Sequence, residues 1–329
     1  EEAIAFVAVL MPLVLALGYD SIVAVAITYL ACNLGFATAM LNPFTVGIAQ
    51  SIAGIQLYSG VEFRTLVWFV STLVGCGFVM FYAMKIKKNP ELSPMFEHDQ
   101  VKREKLKSTE SEHTEFTLRH KIIIAALFTS IALVVYGVLK LEFWIPQIAA
   151  VFLGLGIISG LVGKLAPNEI AEAFTDGAKD MIGAAIMIGL AKSVMIIAQN
   201  ANIIDTILFN LANVVGQLPS LIASYIMFVI QMFINFFVSS GSGQAALTMP
   251  ILAPLGDLVG ISRQLSVLIY QLGDGFSNAM FPTSGVLIAC LGMAGVPYGK
   301  WLKWILPLQA ILFMTAIVFI TIASLIGWA

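Results

Sequence analysis

The sequence predicts an all-α polytopic membrane protein made of inverted repeats, with re-entrant hairpins and broken transmembrane helices. Three observations predict it. Of 329 residues, 59% are hydrophobic and only 11% charged, against about 25% charged in an ordinary soluble domain, so there is too little charge to cover a water-facing surface. Apolar runs of hydrocarbon length are interrupted by polar, glycine-rich segments: Ser239-Ser240-Gly241-Ser242-Gly243-Gln244, Gly273-Asp274-Gly275-Phe276-Ser277-Asn278 and Pro282-Thr283-Ser284-Gly285. A comparable break, Ala37-Thr38-Ala39-Met40-Leu41-Asn42-Pro43, recurs near the start. Backbone groups freed inside a bilayer must find partners, so such breaks survive only where they pack in protein or line a cavity.

The first repeat covers residues 1–88. The chain opens at Glu1 already inside a hydrophobic stretch, which reads as a fragment lacking N-terminal helices. Residues 3–17 form an apolar helix ended by Gly18; it falls short of the roughly 20 residues a span needs and reads as one arm of a hairpin. Residues 21–36 form a helix that breaks and resumes over 44–52, followed by a turn at 54–60 and a full span at 63–84.

Residues 89–120 are a charged loop, read as a solvated linker. Nine of the seventeen Lys/Arg lie within residues 85–121, which places the loop in the cytoplasm. Residues 121–218 hold spans at 122–139 and 145–162, an interfacial amphipathic helix at 168–179, a span at 181–198 carrying Lys192, and a second amphipathic stretch at 203–214. The second repeat, 219–329, comprises an apolar run to Val238, the hairpin tip, a return arm at 245–259, a broken helix from Leu265 and a last span at 301–326. Alternation puts thirteen Lys/Arg inside and three (Arg64, Lys140, Arg263) outside, with Lys192 in the bilayer. Trp144 and Trp328 then mark the outer interface, Trp301 and Trp304 the inner one.

The two broken regions match. Gly35-Phe36-Ala37-Thr38-Ala39-Met40 agrees with Gly275-Phe276-Ser277-Asn278-Ala279-Met280 at four of six positions. Pro12 and Gly18 match Pro254 and Gly260, and Ala53-Gly54 matches Ala294-Gly295. Counting crossings makes the copies inverted, and paired Gly/Pro-interrupted segments in inverted halves point to a transporter's binding site.

The candidate binding residues follow from that placement. At the tip, Ser239, Ser240, Gly241, Ser242, Gly243 and Gln244 offer hydroxyls and backbone N–H groups, and the arm beyond presents a helix N-terminus suited to a carboxylate. Asp274 at bilayer depth marks an ion or substrate path, or else satisfies backbone N–H groups of the break. Ser277, Asn278, Thr283 and Ser284, with Thr38 and Asn42 from the first repeat, supply the oxygens a sodium ion takes; a sodium site falls at Ser277, Asn278 and Thr38. Glu1 and Glu2 align with the tip and make the site negative, or are a frayed terminus. Lys192 pairs either with an acid or with a substrate carboxylate.

Net charge is −2, without a basic stripe, so no nucleic-acid partner is expected. Cys32, Cys76 and Cys290 sit in apolar runs and read as buried inert thiols. His98, His113 and His120 all fall in the charged loop. With no intramembrane histidine and no partnered aspartate, an intramembrane enzyme is not expected, and no cofactor beyond coupling Na⁺ or H⁺.

SSGSGQAALTMPILAPLGDLVGISRQ, GDGFSNAMFPTSG and GFATAMLNPFTVGIAQSIAG resemble the repeat signatures of the C4-dicarboxylate anaerobic carrier-like proteins. The similarity is greatest to their YfcC-type branch of basic amino acid (arginine/ornithine) antiporters, in the ion transporter superfamily. The resemblance implies a homodimeric, elevator-type secondary carrier of the bacterial inner membrane, with scaffold and transport domains. The acids favour a basic amino acid as substrate; a cation-coupled C4-dicarboxylate or other carboxylate carrier is the alternative.

Overall fold

A computed structural model describes residues 3–109, 117–141, 143, 145–201, 206 and 215–328. The chain divides into two compact units, residues 1–103 with 183–329, and residues 104–182. All regular structure among the described residues is helical.

The first half of the larger unit runs α1 (Ala3–Ala16), α2 (Ser21–Val25), a π-helical turn (Ala26–Leu30) and α3 (Ala31–Ala37). After a break come a second π turn (Pro43–Gly47), α4 (Ile48–Ala53) and α5 (Val61–Lys88). A 3₁₀ turn (Pro90–Leu92) then leads into α6 (Phe96–Thr109). The smaller unit holds α7 (Leu118–Lys140), α8 (Ile145–Gly163) and the beginning of α9 (Pro167–Asn200). The second half of the larger unit runs α10 (Ser220–Phe237), α11 (Gly241–Val259), α12 (Arg263–Ser277), α13 (Gly285–Ala294) and α14 (Tyr298–Leu325).

The repeated sequence folds into repeated local structure. Gly18 and Gly260 follow α1 and α11 at φ +89° and +75°. Each closes its helix with the same two bonds: Gly18 N–H to Leu15 O and Tyr19 N–H to Val14 O, against Gly260 N–H to Asp257 O and Ile261 N–H to Gly256 O. This is the Schellman closure, which needs a left-handed residue. Gly54 and Gly295 end α4 and α13 in the same manner. The following helices start at matching N-caps, Asp20 accepting from Val23 N–H and Ser262 from Leu265 N–H. Packing is reciprocal: α1 lies on α13, α11 lies on α4, and α3 meets α12. Such an i-on-j, j-on-i pattern is what a two-fold relation produces.

Three described helices are long and apolar enough to cross a membrane: Val61–Lys88, Ser220–Phe237 and Tyr298–Leu325. Leu66, Phe69, Leu73 and Met80 form an exposed apolar stripe on α5, and Ile311, Met314 and Val318 one on α14. In the smaller unit, α7 packs on α8, and Phe174 and Ile170 press against Gly156 and Gly160 of α8. Small residues at i and i+4 permit that close approach.

Four expectations need correction. Residues 273–277 do not break the helix; α12 continues to Ser277. Gly273 and Gly275 are packing glycines instead: a Cβ would lie 2.5 Å from Gln231 Cβ on α10 at the first, and 2.3 Å from Ala37 Cα on α3 at the second. The hairpin tip is shorter than residues 239–244, because Ser240 caps α11 and Gly241 to Gln244 already form its first turn. The segments at 168–179 and 181–198 are one continuous helix, α9, since no proline or cap separates them and a single internal Gly177 is tolerated. Residues 89–120 are not simply a solvated linker: α6 lies within them, and Ser93, Met95 and Asp99 are buried. The stretch 203–214, apart from Thr206, lies outside the described residues, as do Trp144 and His113.

Candidate functional site

A cavity of about 290 Å³ opens where the breaks meet. Its wall comes from Ala3, from Tyr29, Cys32, Asn33 and Phe36 of the first broken helix, from Ser239 and Gly241 of the tip, and from Asn278, Ser284 and Val286. The N-termini of α11 and α13 therefore border the cavity, where helix dipoles favour negative charge.

The second break, from Asn278 to Ser284, is held by six side chains. Asn235 Nδ2 donates to Asp274 O (2.9 Å), Asn33 Nδ2 to Gly275 O (3.1 Å) and Tyr29 OH to Asn278 O (2.9 Å). Trp301 Nε1 donates to Ala279 O (2.9 Å), Tyr298 OH to Met280 O (2.7 Å) and Ser239 Oγ to Thr283 O (2.9 Å). The carbonyls that a helix end leaves unpaired are thus satisfied by protein donors, two of them from the opposite repeat.

Asp274 is fully buried, and neither carboxylate oxygen has a hydrogen-bond partner among the described residues. Its Oδ2 lies 3.4 Å from the point where a Gly241 side chain would begin, and that point is 2.7 Å from the Phe36 ring and 2.8 Å from Thr45 Cγ2. Thr45 Oγ1 is likewise buried without a partner. The carboxylate sits behind Gly241 and Phe36, which themselves line the cavity. An ionised carboxylate buried without a partner is costly, and no donor among the described residues offsets it. The carboxylate thus lies beside a cavity whose wall is mostly apolar, with polar groups at Asn33, Ser239, Asn278 and Ser284.

The other candidate residues divide by position. Ser239, Gly241, Asn278 and Ser284 line the cavity. Ser240 caps α11 and accepts from Gly243 N–H at 3.4 Å, and Ser242 is half-buried in the same turn. Gln244 is buried and donates to Gln231. Thr38 Oγ1 donates to Leu34 O and Ser277 Oγ to Gly273 O, each within its own helix. Asn278 Oδ1 and Ser277 Oγ both accept from Asn235. Asn42 Oδ1 accepts from Phe44 N–H as the cap of the second π turn. Thr283 Oγ1 is buried without a partner. Glu1, Glu2 and the Lys192 side chain lie outside the described residues.

Sequence reasoning missed three features. Arg64, which the sequence places only as one of the charges counted on the outer side of the membrane, is 1% exposed. Its Nη1 donates to Gln271 Oε1 at 2.5 Å and Nη2 to Gln264 Oε1 at 3.4 Å, with the guanidinium 5.4 Å from the Trp328 ring centre. The polar stripe Gln264, Gln271, Asp274 on an otherwise apolar helix was the readable signal. Trp301 and Trp304, expected to mark the inner membrane interface, are buried packing residues. Cys32 and Cys76 are exposed rather than buried, and only Cys290 fits the expectation.

Broken helices, paired half-helix termini and a buried unpaired acid define a membrane carrier. The chain belongs to the C4-dicarboxylate anaerobic carrier family, whose model matches residues 1–325. It is 42% identical over 339 residues to an Escherichia coli protein provisionally named basic amino acid antiporter YfcC, covering all of this chain and 67% of that one. It is 35% identical over 316 residues to an uncharacterized Haemophilus influenzae protein, covering 95% of this chain and 62% of the other. The chain thus spans about two thirds of the length of these relatives. The solved structure of Neisseria gonorrhoeae MtrF, of a class of antimetabolite efflux pumps, aligns with TM-score 0.42 and 18% identity over 95% of this chain and 74% of that one. That likeness is too distant to carry an argument.

Proposed function

We propose that this chain forms the binding core of a secondary active carrier that moves a basic amino acid against a coupling cation, Na⁺ or H⁺. The observation that carries the reading is the buried Asp274 carboxylate, unpartnered among the described residues, directly behind a cavity with polar groups at Asn33, Ser239, Asn278 and Ser284. At about 290 Å³ the cavity falls at the small end of ligand pockets, which suits a single amino acid. The N-termini of α11 and α13 would receive the substrate's α-carboxylate. Asn33, Asn278 and Ser239 would read its polar groups. No Lys or Arg is among the cavity's lining residues, so a cationic substrate meets no like charge, while a dianion meets no counter-charge.

In this reading the two halves are inverted in the membrane, and the core moves against a scaffold in an elevator-type homodimer of the bacterial inner membrane. The charged segment 89–120 then faces the cytoplasm. Glu1, Glu2 and Lys192 would tune the charge of the path. A second reading, a C4-dicarboxylate carrier, is favoured by the family to which the chain belongs and by the two helix N-termini. Reconstituted into liposomes, the protein should exchange labelled arginine or ornithine and ignore succinate. Succinate exchange without arginine exchange would transfer the assignment to the second reading.

A further inference from the structure

The two half-helices, α4 and α13, end alike but are capped from different places. At the end of α4, Arg263 Nη1 donates to Ala53 O at 2.5 Å, and its side chain is paired to Asp257 at 2.8 Å. At the end of α13, Lys102 Nζ donates to Ala294 O at 2.8 Å and reaches Gly295 O at 3.5 Å, paired to Asp99 at 2.8 Å. Each cation also stands beside the left-handed glycine: Arg263 Nη1 is 3.1 Å from where a Gly54 side chain would begin, and Lys102 Nζ 3.4 Å from the same point at Gly295. A cation at a helix C-terminus is favoured by the dipole and by the unpaired carbonyls.

The repeat explains the difference. With Gly18 aligned to Gly260, Arg263 corresponds to Ser21 and Asp257 to Leu15. The first repeat therefore lacks both members of the capping pair. Asp99 and Lys102 of α6 take their place: Lys102 Nζ lies 2.8 Å from Ser21 Oγ, and Asp99 Oδ2 accepts from Ser21 N–H at 2.7 Å. Arg263 is the first residue of α12, whose remaining residues are all buried, so the backbone that carries this cap is fixed by the core, although the Arg263 and Asp257 side chains are themselves exposed. Lys102 sits on a strap with few apolar holds. Between Ser93 and Arg103 only Ser93, Met95 and Asp99 are buried, and the further ties are polar: Ser93 Oγ to Asp20 Oδ2 at 2.6 Å, Ser21 Oγ to Asp99 Oδ1 at 2.5 Å, Arg103 to Tyr19 O at 2.7 Å and Lys300 to Pro94 O at 2.7 Å. Apolar burial on the strap is concentrated at Met95, so this part of α6 is held chiefly by hydrogen bonds, whereas α12 is buried along almost its whole length.

We infer that Lys102 is a positioning residue: α6 supplies from the charged segment the cap that the first repeat lacks, and through α13 it sets the cavity wall at Ser284 and Val286. The Lys102 cap is carried by a strap held mainly by hydrogen bonds, whereas the Arg263 cap is carried by a helix seated in the core. Undocking loosens α13 selectively and leaves α4 fixed. This inference does not depend on which substrate the carrier moves.

The test is peptide-resolved hydrogen–deuterium exchange on the purified protein, comparing wild type with Lys102→Met, Lys102→Arg and Arg263→Met. Lys102→Met should raise exchange across residues 285–296 at least about 10-fold and leave 48–55 unchanged, with Lys102→Arg restoring wild-type protection. Arg263→Met should do the reverse. In parallel, labelling of the cavity residue Cys32 by N-ethylmaleimide should change severalfold in Lys102→Met and not in Lys102→Arg. Wild-type protection of 285–296 in Lys102→Met, or unchanged Cys32 labelling, would overturn the inference. If Lys102→Met fails to fold, Asp99→Asn gives the second readout: residues 285–296 must loosen while α12 stays protected, and wild-type protection of 285–296 or equal loosening of both would refute it.

Discussion

The two breaks share a sequence motif and differ in how they are held. The second, after Ser277, has six of its carbonyls occupied by side chains from α3, the first π turn, α10, α14 and the hairpin tip. At the first, Thr38 and Asn42 close on their own backbone, and Gln271 is the one described side chain of the opposite half that reaches it, donating to Ala39 O at 2.7 Å. Equal motifs thus receive unequal side-chain support. The second break is a fixed wall that also presents Asp274, and the first is tied to it by a single amide. The difference lies in the surroundings each break meets.

That contrast can be broken or sharpened by substitution. The largest effect is expected at the fixed wall's charge. Asp274→Asn should reduce exchange at least 100-fold in liposomes while leaving the yield of folded protein intact, and wild-type exchange would remove the acid from the mechanism. Gly275→Ala comes next. Its Cβ would meet Ala37 backbone at 2.3 Å, so thermal unfolding should show a loss at the upper end of the roughly 1–3 kcal/mol that overpacking costs. Gln271→Leu strips Arg64 and Ala39 O of their shared partner. A loss of about 1.5–3 kcal/mol is expected, since the bond is to a charged group, and a neutral result would show that the first break holds itself.

Tyr29→Phe removes one of six donors at the second break and should cost about 1 kcal/mol. A larger loss would mean that the six act as one network. The smallest effect is expected at Gly35, the repeat counterpart of Gly275, where a Cβ meets nothing within 4 Å. Gly35→Ala should be neutral or stabilising by up to about 1 kcal/mol, because alanine loses less backbone freedom in a helix.

Most helices were legible because hydrophobic length and left-handed glycines act locally. Gly18, Gly54, Gly260 and Gly295 each stop a helix where the sequence placed the stop. The error at residues 273–277 has a specific cause. A glycine in an apolar run reads as a breaker, yet Gly273 and Gly275 are small so that α12 can touch α10 and α3. Nothing in their immediate neighbours distinguishes the two uses. The burial of Arg64 escaped for a similar reason: the polar stripe on α12 signals that a polar group meets it, but its acceptors, Gln264 and Gln271, lie 200 and 207 residues from Arg64.

Composition and the spacing of breaks determined by themselves that this chain is a helical membrane protein with a duplicated, interrupted core. Those properties follow from transfer free energy and from backbone geometry, which each short stretch carries within itself. Only the tertiary structure decided which carbonyls at the breaks are satisfied, which acid has no partner, and that a charged strap rather than a repeat residue caps α13. These depend on where side chains from distant segments arrive, and a buried polar group's cost is settled by its partners rather than by its neighbours in sequence.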